Sequence, residues 1–300
     1  MNKISVIIPV FNSEKTIGQS VESVLANDYP DFEVIVIDDG SADNTGKIIE
    51  SISDTRLKVI KNNINSGKSY GRNLGIKNSS GDIILLLDSD TYVGQDWIAG
   101  HAEIHKDPEI DIAGGGIVGI NTTIYGKCDE FCNWWTSIPN SKDRYIKKLH
   151  LPTNNLSVKR SVFTSVGYFN EDLPAGEDSE FCFRALSKGL KIYFKSSLLA
   201  YHYDRDDLKG FLDHQASWGW HNVKMRKSLN MDYSFLMPRS FLLSYLYIPV
   251  LSVLFTAFIL AKWIRYKPRI LLYAPLILLG KIYQSIAITD SLKPIPHQRS

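Results

Sequence analysis

Apolar residues in the first hundred positions form short runs that alternate with segments of helical spacing. The runs of strand length are residues 4–10, 33–38, 57–61 and 82–87. The helical segments are residues 13–26, 43–53, 69–79 and 97–106. In the first helical segment Ile17, Val21 and Val24 share one face, and Ser13 is of the residue type that caps helices. This alternation of strands and helices predicts a parallel, doubly wound sheet.

The pattern after residue 110 is mixed. Strands are predicted over 112–120, 156–159, 191–194 and 199–203. A helical turn is expected over 160–166, and a helix over 179–188 that ends at Gly189. The polar and aromatic stretch 121–150 gives no assignable period. We therefore expect the sheet to become mixed in its second half.

The residues from 241 onward are much more apolar than the rest of the chain. Residues 241–264 carry no charge before Lys262, and this run is long enough to span a bilayer. A second run, 270–288, is marginal because Pro275 and Lys281 interrupt it. Basic residues flank both runs: Lys224, Arg226, Lys227, Arg239, Lys262, Arg265, Lys267 and Arg269. These features predict attachment to a membrane surface, and a buried helical hairpin is the alternative.

The topology of these two runs stays open. If both runs span the bilayer, the basic residues 265–269 lie outside, against the positive-inside tendency. One spanning helix, or a hairpin that lies in the interface, avoids this conflict.

Charge and motifs exclude several classes of protein. The formal net charge of +2 over 300 residues gives no field for nucleic acid. Residues 67–69 spell the end of a phosphate loop, but Asn62 stands where that loop needs glycine. No Gly-x-Gly-x-x-Gly follows the first strand, so we expect no nicotinamide site. The three cysteines are too few for a disulfide scaffold and indicate a reducing compartment.

Carboxylates follow two of the predicted strands. Residues 34–37 run into Asp38 and Asp39, and residues 83–87 lead to Asp88 and Asp90. Carboxyl ends of parallel strands meet at the edge of the sheet where open α/β folds bind ligands. Carboxylates gathered there repel each other and lose solvation, so they need a compensating partner. A divalent cation that bridges a diphosphate is the simplest one.

Seven short motifs follow one another along the chain. They are residues 7–14 (IIPVFNSE), 38–41 (DDGS), Asn65-x-Gly67 with 71–73 (GRN), 88–90 (DSD), 153–157 (TNNLS), 167–172 (GYFNED) and 176–184 (GEDSEFCFR). This order and spacing resemble the inverting family 2 glycosyltransferases, which have the GT-A fold. The resemblance covers about residues 4–205. It implies transfer of a sugar, with inversion, from a nucleotide-diphosphate sugar to an acceptor.

The resemblance also implies a donor site and a metal. Asp90 matches the direct ligand of a divalent metal, Mg²⁺ or Mn²⁺, with Asp88 beside it and His202 completing the shell. The residues that match the nucleotide-sugar site are Pro9, Phe11, Glu14, Asp39, Arg72 and Asp88. The alternative to a metal ligand is that His202 is an ordinary histidine at a strand end.

For the acceptor, the resemblance makes Asp178 the catalytic base, with Glu177 as its positioning partner. Acids that open a helix also favour its dipole, which is the structural alternative. Asn155, Gln215 and Trp218 are expected to border the acceptor, and membrane-interface tryptophans are the other interpretation of residues 215–220. The Gln-x-x-Arg-Trp motif of processive members lacks its Arg-Trp pair here, which favours addition of a single sugar.

The expected organisation is a catalytic domain, a connector and a membrane-associated tail. The catalytic domain is 1–205, with a nucleotide-binding half 1–100 and an acceptor half 101–205; the connector is 206–238 and the tail 239–300. The tail predicts contact with membrane lipids, a lipid-linked acceptor, and a catalytic domain on the cytoplasmic side of the cell membrane. The alternatives are a nucleotidyltransferase and a non-catalytic, membrane-tethered protein that binds sugar nucleotides.

Overall fold

The computed structural model describes residues 2–148, 150–229 and 241–293. The chain divides into two compact units, and each is described by itself. The first comprises residues 1–120 and 136–203, and the second comprises residues 121–135 and 204–300. Parts of the predicted connector (230–238) and tail (239, 240 and 294–300) lie outside the described residues, Arg239 among them.

A mixed sheet forms the centre of the first unit. Its strands are β1 Ile4–Val10, β2 Phe32–Asp39, β3 Leu57–Asn62, β4 Ile83–Leu86, β5 Thr91–Val93, β6 Ile112–Gly119, β7 Arg144–Ile146, β8 Leu156–Lys159 and β9 Ile192–His202. Their order is β3-β2-β1-β4-β8-β6-β9-β5, with β7 paired to β9. The first four strands of that order are parallel, and β8 runs antiparallel to both β4 and β6. The predicted doubly wound, mixed sheet is therefore confirmed.

Helices cover both faces of this sheet. They are α1 Ile17–Leu25, α2 Thr45–Ser51, α3 Lys68–Lys77, α4 Trp97–Ile104, α6 Arg160–Val166 and α7 Glu177–Ser187, while α5 Ile124–Asn133 belongs to the second unit. One buried cluster joins the sheet to α3, α6 and α7, and a second joins its other face to α1, α2 and α4. The runs that form β1, β2 and β4 are thus strands buried on both faces, as parallel strands require, whereas the edge strand β3 is only partly buried.

Several local predictions are corrected by the structure. Ser13 is not the N-cap, because α1 begins at Ile17 after Thr16. The two strands expected over 191–203 are one strand, β9, whose pairing with β6 shifts register between Gly115 and Gly116. Ser196 lies in the irregular stretch, where its backbone N–H donates to Asp143 at 2.8 Å. The three-residue strands β5 and β7 were not predicted, since they are too short to show a period.

The described residues of the second unit are mainly helical. With α5 it contains α8 Leu208–Ser228, α9 Phe241–Trp263, a 3-10 turn Pro268–Tyr273 and α10 Ala274–Ser291. Two stretches, Ser244–Trp263 and Pro268–Ser291, are long and apolar enough to cross a membrane by length and composition, with mean hydropathies of 2.0 and 1.5. Cys128 and Cys132 of α5 are buried and free.

Candidate active site

Two loops of the first unit meet at the carboxyl end of β4. Ser89 lies between Asp88 and Asp90, and its hydroxyl is 2.9 Å from that of Ser13, in the loop after β1. Ser20, in the first helix, donates to the backbone oxygen of Asp88 at 3.3 Å. The ends of β1 and β4 are neighbours because these strands pair in parallel. The chain therefore fixes the Asp88–Asp90 segment through hydroxyl contacts to the first strand-to-helix turn.

Arg72 joins two of the predicted site carboxylates. Its side chain is 1% exposed, and its two terminal nitrogens donate to Asp88 at 2.6 Å and to Glu177 at 2.5 Å. Arg72 is on α3, and the next residue, Asn73, bonds the backbone of Phe169 in both directions at 2.9 and 3.0 Å. The helix thus brings the end of β4 and the start of α7 to a single guanidinium, whose planar fork suits two carboxylates.

The charged side chains at this centre shift one another's pKa values. Burial alone would lower the pKa of Arg72, but Asp88 and Glu177 outweigh it, so that its pKa is raised. Burial likewise works to raise the pKa of Asp88, and Lys68 and Arg72 together hold it below its ordinary value. Lys68 lies 3.6 Å from Asp88, which raises the lysine pKa. Asp88 is therefore ionised at neutral pH.

Glu177 and Asp178 open α7 and are both buried. Burial and the neighbouring Asp178 raise the pKa of Glu177, and Arg72 opposes them. One oxygen of Asp178 accepts from the backbone N–H of Ser179 at 2.6 Å, while the other lies 4.0 Å from Nε2 of His150. The preceding Gly176 has a φ of 82°, a left-handed conformation that suits glycine. This turn sets the direction in which both acids leave the helix.

Asp90 and His202 come together across a pair of strands. Thr91 pairs with His202 in the antiparallel β5–β9 ladder, and the backbone N–H of Tyr203 donates to the backbone oxygen of Asp90 at 3.0 Å. Nε2 of His202 lies 3.5 Å from Oδ1 of Asp90. A carboxylate oxygen is a suitable donor for Mg²⁺ or Mn²⁺, whereas an imidazole nitrogen suits Mn²⁺ better than the harder Mg²⁺. No cluster of three such side chains occurs among the described residues, so the further ligands of a metal would come from a diphosphate and water.

The residues predicted to hold the nucleotide base occupy different environments. Asp39 accepts from Asn62 at 2.8 Å and from the backbone N–H groups of Ser66 and Gly67 at 2.9 and 2.8 Å. Glu14 accepts twice from Asn44. Both carboxylates therefore also hold neighbouring loops in place.

Pro9 is buried in β1, where a Cβ placed on Gly71 would lie only 3.1 Å away, whereas Phe11 is exposed. Of the two, Phe11 has a free surface to offer a base. Contacts of these four residues to a nucleotide stay predictions.

Asn155 is committed to the interior of the first unit. Its oxygen accepts from the indole of Trp97 at 2.8 Å and lies 3.1 Å from Nε2 of His101. Its nitrogen donates to the backbone oxygens of Gly116 and Leu198, both at 3.0 Å. These four hydrogen bonds give Asn155 a structural role inside the first unit. Contact of Asn155 with the acceptor stays a prediction.

The neighbouring Asn154 was not singled out from the sequence. It is 1% exposed, and within the described part of the chain neither polar atom of its amide has a hydrogen-bond partner. Buried amides are rarely left in this state. Two adjacent asparagines give no sequence signal that separates the bonded side chain from the unbonded one.

The two predicted acceptor residues of the second unit are on α8. Gln215 is buried and links Lys281, which donates to it at 2.7 Å, to Asp129, which lies 3.4 Å from its nitrogen. Trp218 is partly buried, and its ring lies 6.2 Å from that of His214. The bonds of Gln215 show a structural role within this unit, and acceptor contacts of both residues stay predictions.

Lys68 and His150 are the charged or titratable residues of this centre that the sequence reasoning missed. In the sequence, Lys68 stands in an incomplete phosphate loop and carries no other predicted role. It stands four residues before Arg72 in the same helix, a spacing that places both side chains on one face. This spacing could have identified Lys68 as a second cation at Asp88. His150 lies in a stretch without a period and gave no signal.

A doubly wound mixed sheet, a strand-end Asp-x-Asp segment and paired acids at a later helix are the features expected of a GT-A glycosyltransferase. Comparison with family models agrees. The model of the family described as Glycosyl transferase family 2 matches residues 5–159, and that of Glycosyl transferase family group 2 matches residues 83–284. The chain belongs to glycosyltransferase family 2.

Two curated relatives act on lipid-linked substrates according to their names. The dolichyl N-acetyl-α-D-glucosaminyl phosphate 3-β-D-2,3-diacetamido-2,3-dideoxy-β-D-glucuronosyltransferase of Methanococcus voltae is 25% identical over 87% of this chain and 85% of its own length. The UDP-Glc:α-D-GlcNAc-diphosphoundecaprenol β-1,3-glucosyltransferase WfgD of Escherichia coli is 40% identical over 34% of this chain and 38% of its own.

A solved structure shares the fold. The mannosyltransferase PcManGT from Pyrobaculum calidifontis, in complex with GDP-Man and Mn²⁺, superposes with a TM-score of 0.66 at 16% identity. The superposition covers 96% of this chain and 87% of that one. This likeness supports the GT-A fold expected from the motifs.

Proposed function

We propose that this chain is an inverting hexosyltransferase that moves one sugar from a nucleotide-diphosphate sugar to a lipid-linked saccharide at a membrane. One observation carries the proposal. The guanidinium of Arg72 connects Asp88, at the predicted donor site, to Glu177, next to the predicted base Asp178. A transferase needs its leaving group and its acceptor hydroxyl on either side of one sugar carbon, and this contact brings the two sets of carboxylates together.

On the donor side, the base of the nucleotide would contact Phe11, Asp39 and the neighbouring Pro9 and Glu14. Asp90 and His202 would hold a divalent cation, Mg²⁺ or Mn²⁺, with Asp88 near it. When bound, this cation supplies positive charge that stabilises the departing diphosphate. The mannosyltransferase of similar fold, which was solved with GDP-Man and Mn²⁺, supports a nucleotide-diphosphate sugar as the donor and a divalent cation as the cofactor. Lys68 adds a side-chain cation beside Asp88 at the same centre.

On the acceptor side, Asp178 would take the proton from the attacking hydroxyl. The acceptor oxygen then forms its bond to the anomeric carbon as the bond from that carbon to the phosphate oxygen breaks, and the nucleoside diphosphate leaves. Attack from the face opposite the leaving group inverts the configuration. The oxygen of Asp178 that faces His150 is the better candidate for the proton, because the other accepts from the backbone N–H of Ser179. Glu177, held by Arg72, positions the adjacent base.

The acceptor and the location follow from the second unit and from the relatives. The two apolar stretches of that unit and the lipid-linked substrates in the names of relatives support an acceptor embedded in a membrane. The proposal has the catalytic domain reach this acceptor from the cytoplasmic side. Residues 1–205 would then be the catalytic domain, 206–238 the connector and 239–300 the membrane-associated part. Gln215 and Trp218 would border the acceptor.

The proposal is tested by screening nucleotide-diphosphate sugars for transfer to lipid extracts, with and without a chelator. We expect metal-dependent release of nucleoside diphosphate with one donor, and a product whose anomeric configuration is opposite to that of the donor. Asp90→Asn should remove most turnover, whereas Asp96→Asn, an exposed acid at the start of α4, should retain it. Retained configuration refutes inversion, and full turnover in excess chelator refutes the metal.

The same screen separates the two alternatives. A nucleotidyltransferase would release pyrophosphate from a nucleoside triphosphate, and family membership does not favour it. A non-catalytic protein would bind a donor without turnover under every condition, although Glu177 and Asp178 are both present.

A further inference from the structure

Among the described residues of the second unit, α10 packs against both α8 and α9. Gln215 accepts from Lys281 at 2.7 Å, and Val223, further along α8, packs with Ile288. Close approach occurs at two glycines: a Cβ on Gly280 would lie 2.5 Å from the ring of Phe211, and one on Gly219 would lie 2.8 Å from Cβ of Ala287. Contact therefore extends from residue 211 to residue 223, which is about 18 Å of helix.

The α9–α10 hairpin closes against α5 at its other end. Ser252 and Ser285 bond across the hairpin at 3.1 Å. Near the turn, the indole of Trp263 donates to the backbone of Phe131 at 2.9 Å, and Lys267 donates to the buried Glu130 at 2.6 Å. Two helices with polar residues therefore pack against the hairpin: α5 at the turn, and α8 along the second part of α10.

The outward faces of these helices differ in character. The exposed face of α8 carries charged and polar side chains: Lys209, Asp213, Lys224 and Ser228, with Trp220 among them. The exposed faces of α9 and α10 carry large apolar side chains: Leu242, Leu246, Val250, Val253, Leu254, Phe258, Leu279, Tyr283 and Ile286, continued through the turn by Ile264, Leu271 and Leu272. A soluble surface rarely exposes so continuous an apolar area.

This arrangement does not suit a pair of helices that span a bilayer. The hydrocarbon core is about 30 Å thick and has no water to solvate charges. If α9 and α10 crossed it, the start of α8 would lie beside the middle of α10, with the exposed Lys209 and Asp213 at the depth of the lipid tails. Charged side chains at that depth are strongly disfavoured unless they face protein or water.

We infer that α8, α9 and α10 form a bundle that lies in the plane of the membrane, embedded in one leaflet by the outer faces of α9 and α10. The charged face of α8 then stays in water. The exposed basic residues at the turn, Lys262, Arg265 and Arg269, select a bilayer surface with anionic headgroups. This inference rests on the membrane location in the proposed function and states how that location is reached. It leaves the basic turn on the same side as α8, so no conflict with the positive-inside tendency arises.

The test is the sidedness of the two ends of the bundle, which does not depend on sugar transfer. Arg269→Cys marks the turn and Lys224→Cys marks the far end of α8, while the three native cysteines are buried. The full chain in sealed membrane vesicles of known orientation is treated with a membrane-impermeant maleimide, before and after detergent. We expect both positions to be labelled from the same side. Labelling of the two positions from opposite sides overturns the inference.

A matched pair of substitutions tests which face meets lipid. Leu272→Lys and Trp220→Lys each replace a large apolar side chain, 79% and 56% exposed respectively, by lysine. Flotation with vesicles that contain anionic phospholipid should fall at least several-fold for Leu272→Lys and be retained for Trp220→Lys. Equal loss in both variants, or no flotation of the unsubstituted chain, refutes the assignment of faces. Equal flotation with neutral vesicles refutes the role of the basic turn.

Discussion

Replacing Asn155 by alanine should destabilise the first unit rather than act on substrate binding. The substitution removes one acceptor and two donors at once. It leaves the indole N–H of Trp97, a ring nitrogen of His101 and two backbone oxygens without their bonds. Each buried group that loses its partner costs about 1–3 kcal/mol. Because water can enter part of the space left by the amide, we expect the four groups together to cost about 3–5 kcal/mol.

The measurement is amide hydrogen exchange of β6 and β9 in the full-length protein, since a two-unit chain need not unfold in one step. Asn154→Ala is the matched control, because the amide it removes has no partner within the described residues. We expect exchange protection in β6 and β9 to fall in Asn155→Ala and to be unchanged or higher in Asn154→Ala. If Asn155→Ala keeps its protection and loses only affinity for acceptor, the structural interpretation is wrong and Asn155 contacts the acceptor.

Three further predictions concern the proposed chemistry and the buried histidines. Asp178→Asn should keep donor affinity and lose roughly 10²–10⁴ in turnover, as measured by donor titration and initial rates; loss of both together would indicate a structural helix start instead. Arg72→Lys should lower turnover far more than Lys68→Gln, because one ammonium cannot replace a fork that reaches Asp88 and Glu177 together, and similar rates in the two variants would refute this. Burial lowers the pKa of His101 to about 3 and that of His105 to about 4, from 6.5. As pH drops, these histidines therefore bind protons in the unfolded chain before they do so in the folded one, and the stability of the first unit should fall between about pH 7 and pH 5. Hydrogen-exchange protection in β6 that does not change over this pH range would contradict this prediction.

The sequence predicts well those parts of the fold that have a period. Three of the four parallel strands, β1, β2 and β4, are largely apolar on both faces, and the helices between the strands repeat every three or four residues, so these elements are visible locally. Helix α5 was missed because its polar residues are buried: Asp129 faces His214 and Glu130 faces Lys267, partners that are far away in sequence. No local pattern can show that a helix buries its acids.

The site was predicted in a similar, uneven way. Asp88, Asp90, Glu177 and Asp178 stand at strand and helix ends, where their type and position are informative by themselves. Arg72 contacts only two of them, Asp88 and Glu177, and its contact with Glu177 spans more than a hundred residues of sequence, so no motif shows it. The roles of Asn154 and Asn155 separate only when the partners of each amide are known.

The bonds of Asp39 have a consequence for how this chain can diverge. The carboxylate proposed to meet the nucleotide base also accepts from the backbone of Ser66 and Gly67, directly before the helix that carries Lys68 and Arg72. A substitution at Asp39 would therefore loosen the helix that holds Asp88 as well as change the base contact. Variants with a new preference for uridine or guanosine should arise at positions such as Phe11, which has no such second role. Donor choice can then drift over generations while the chemical centre stays fixed.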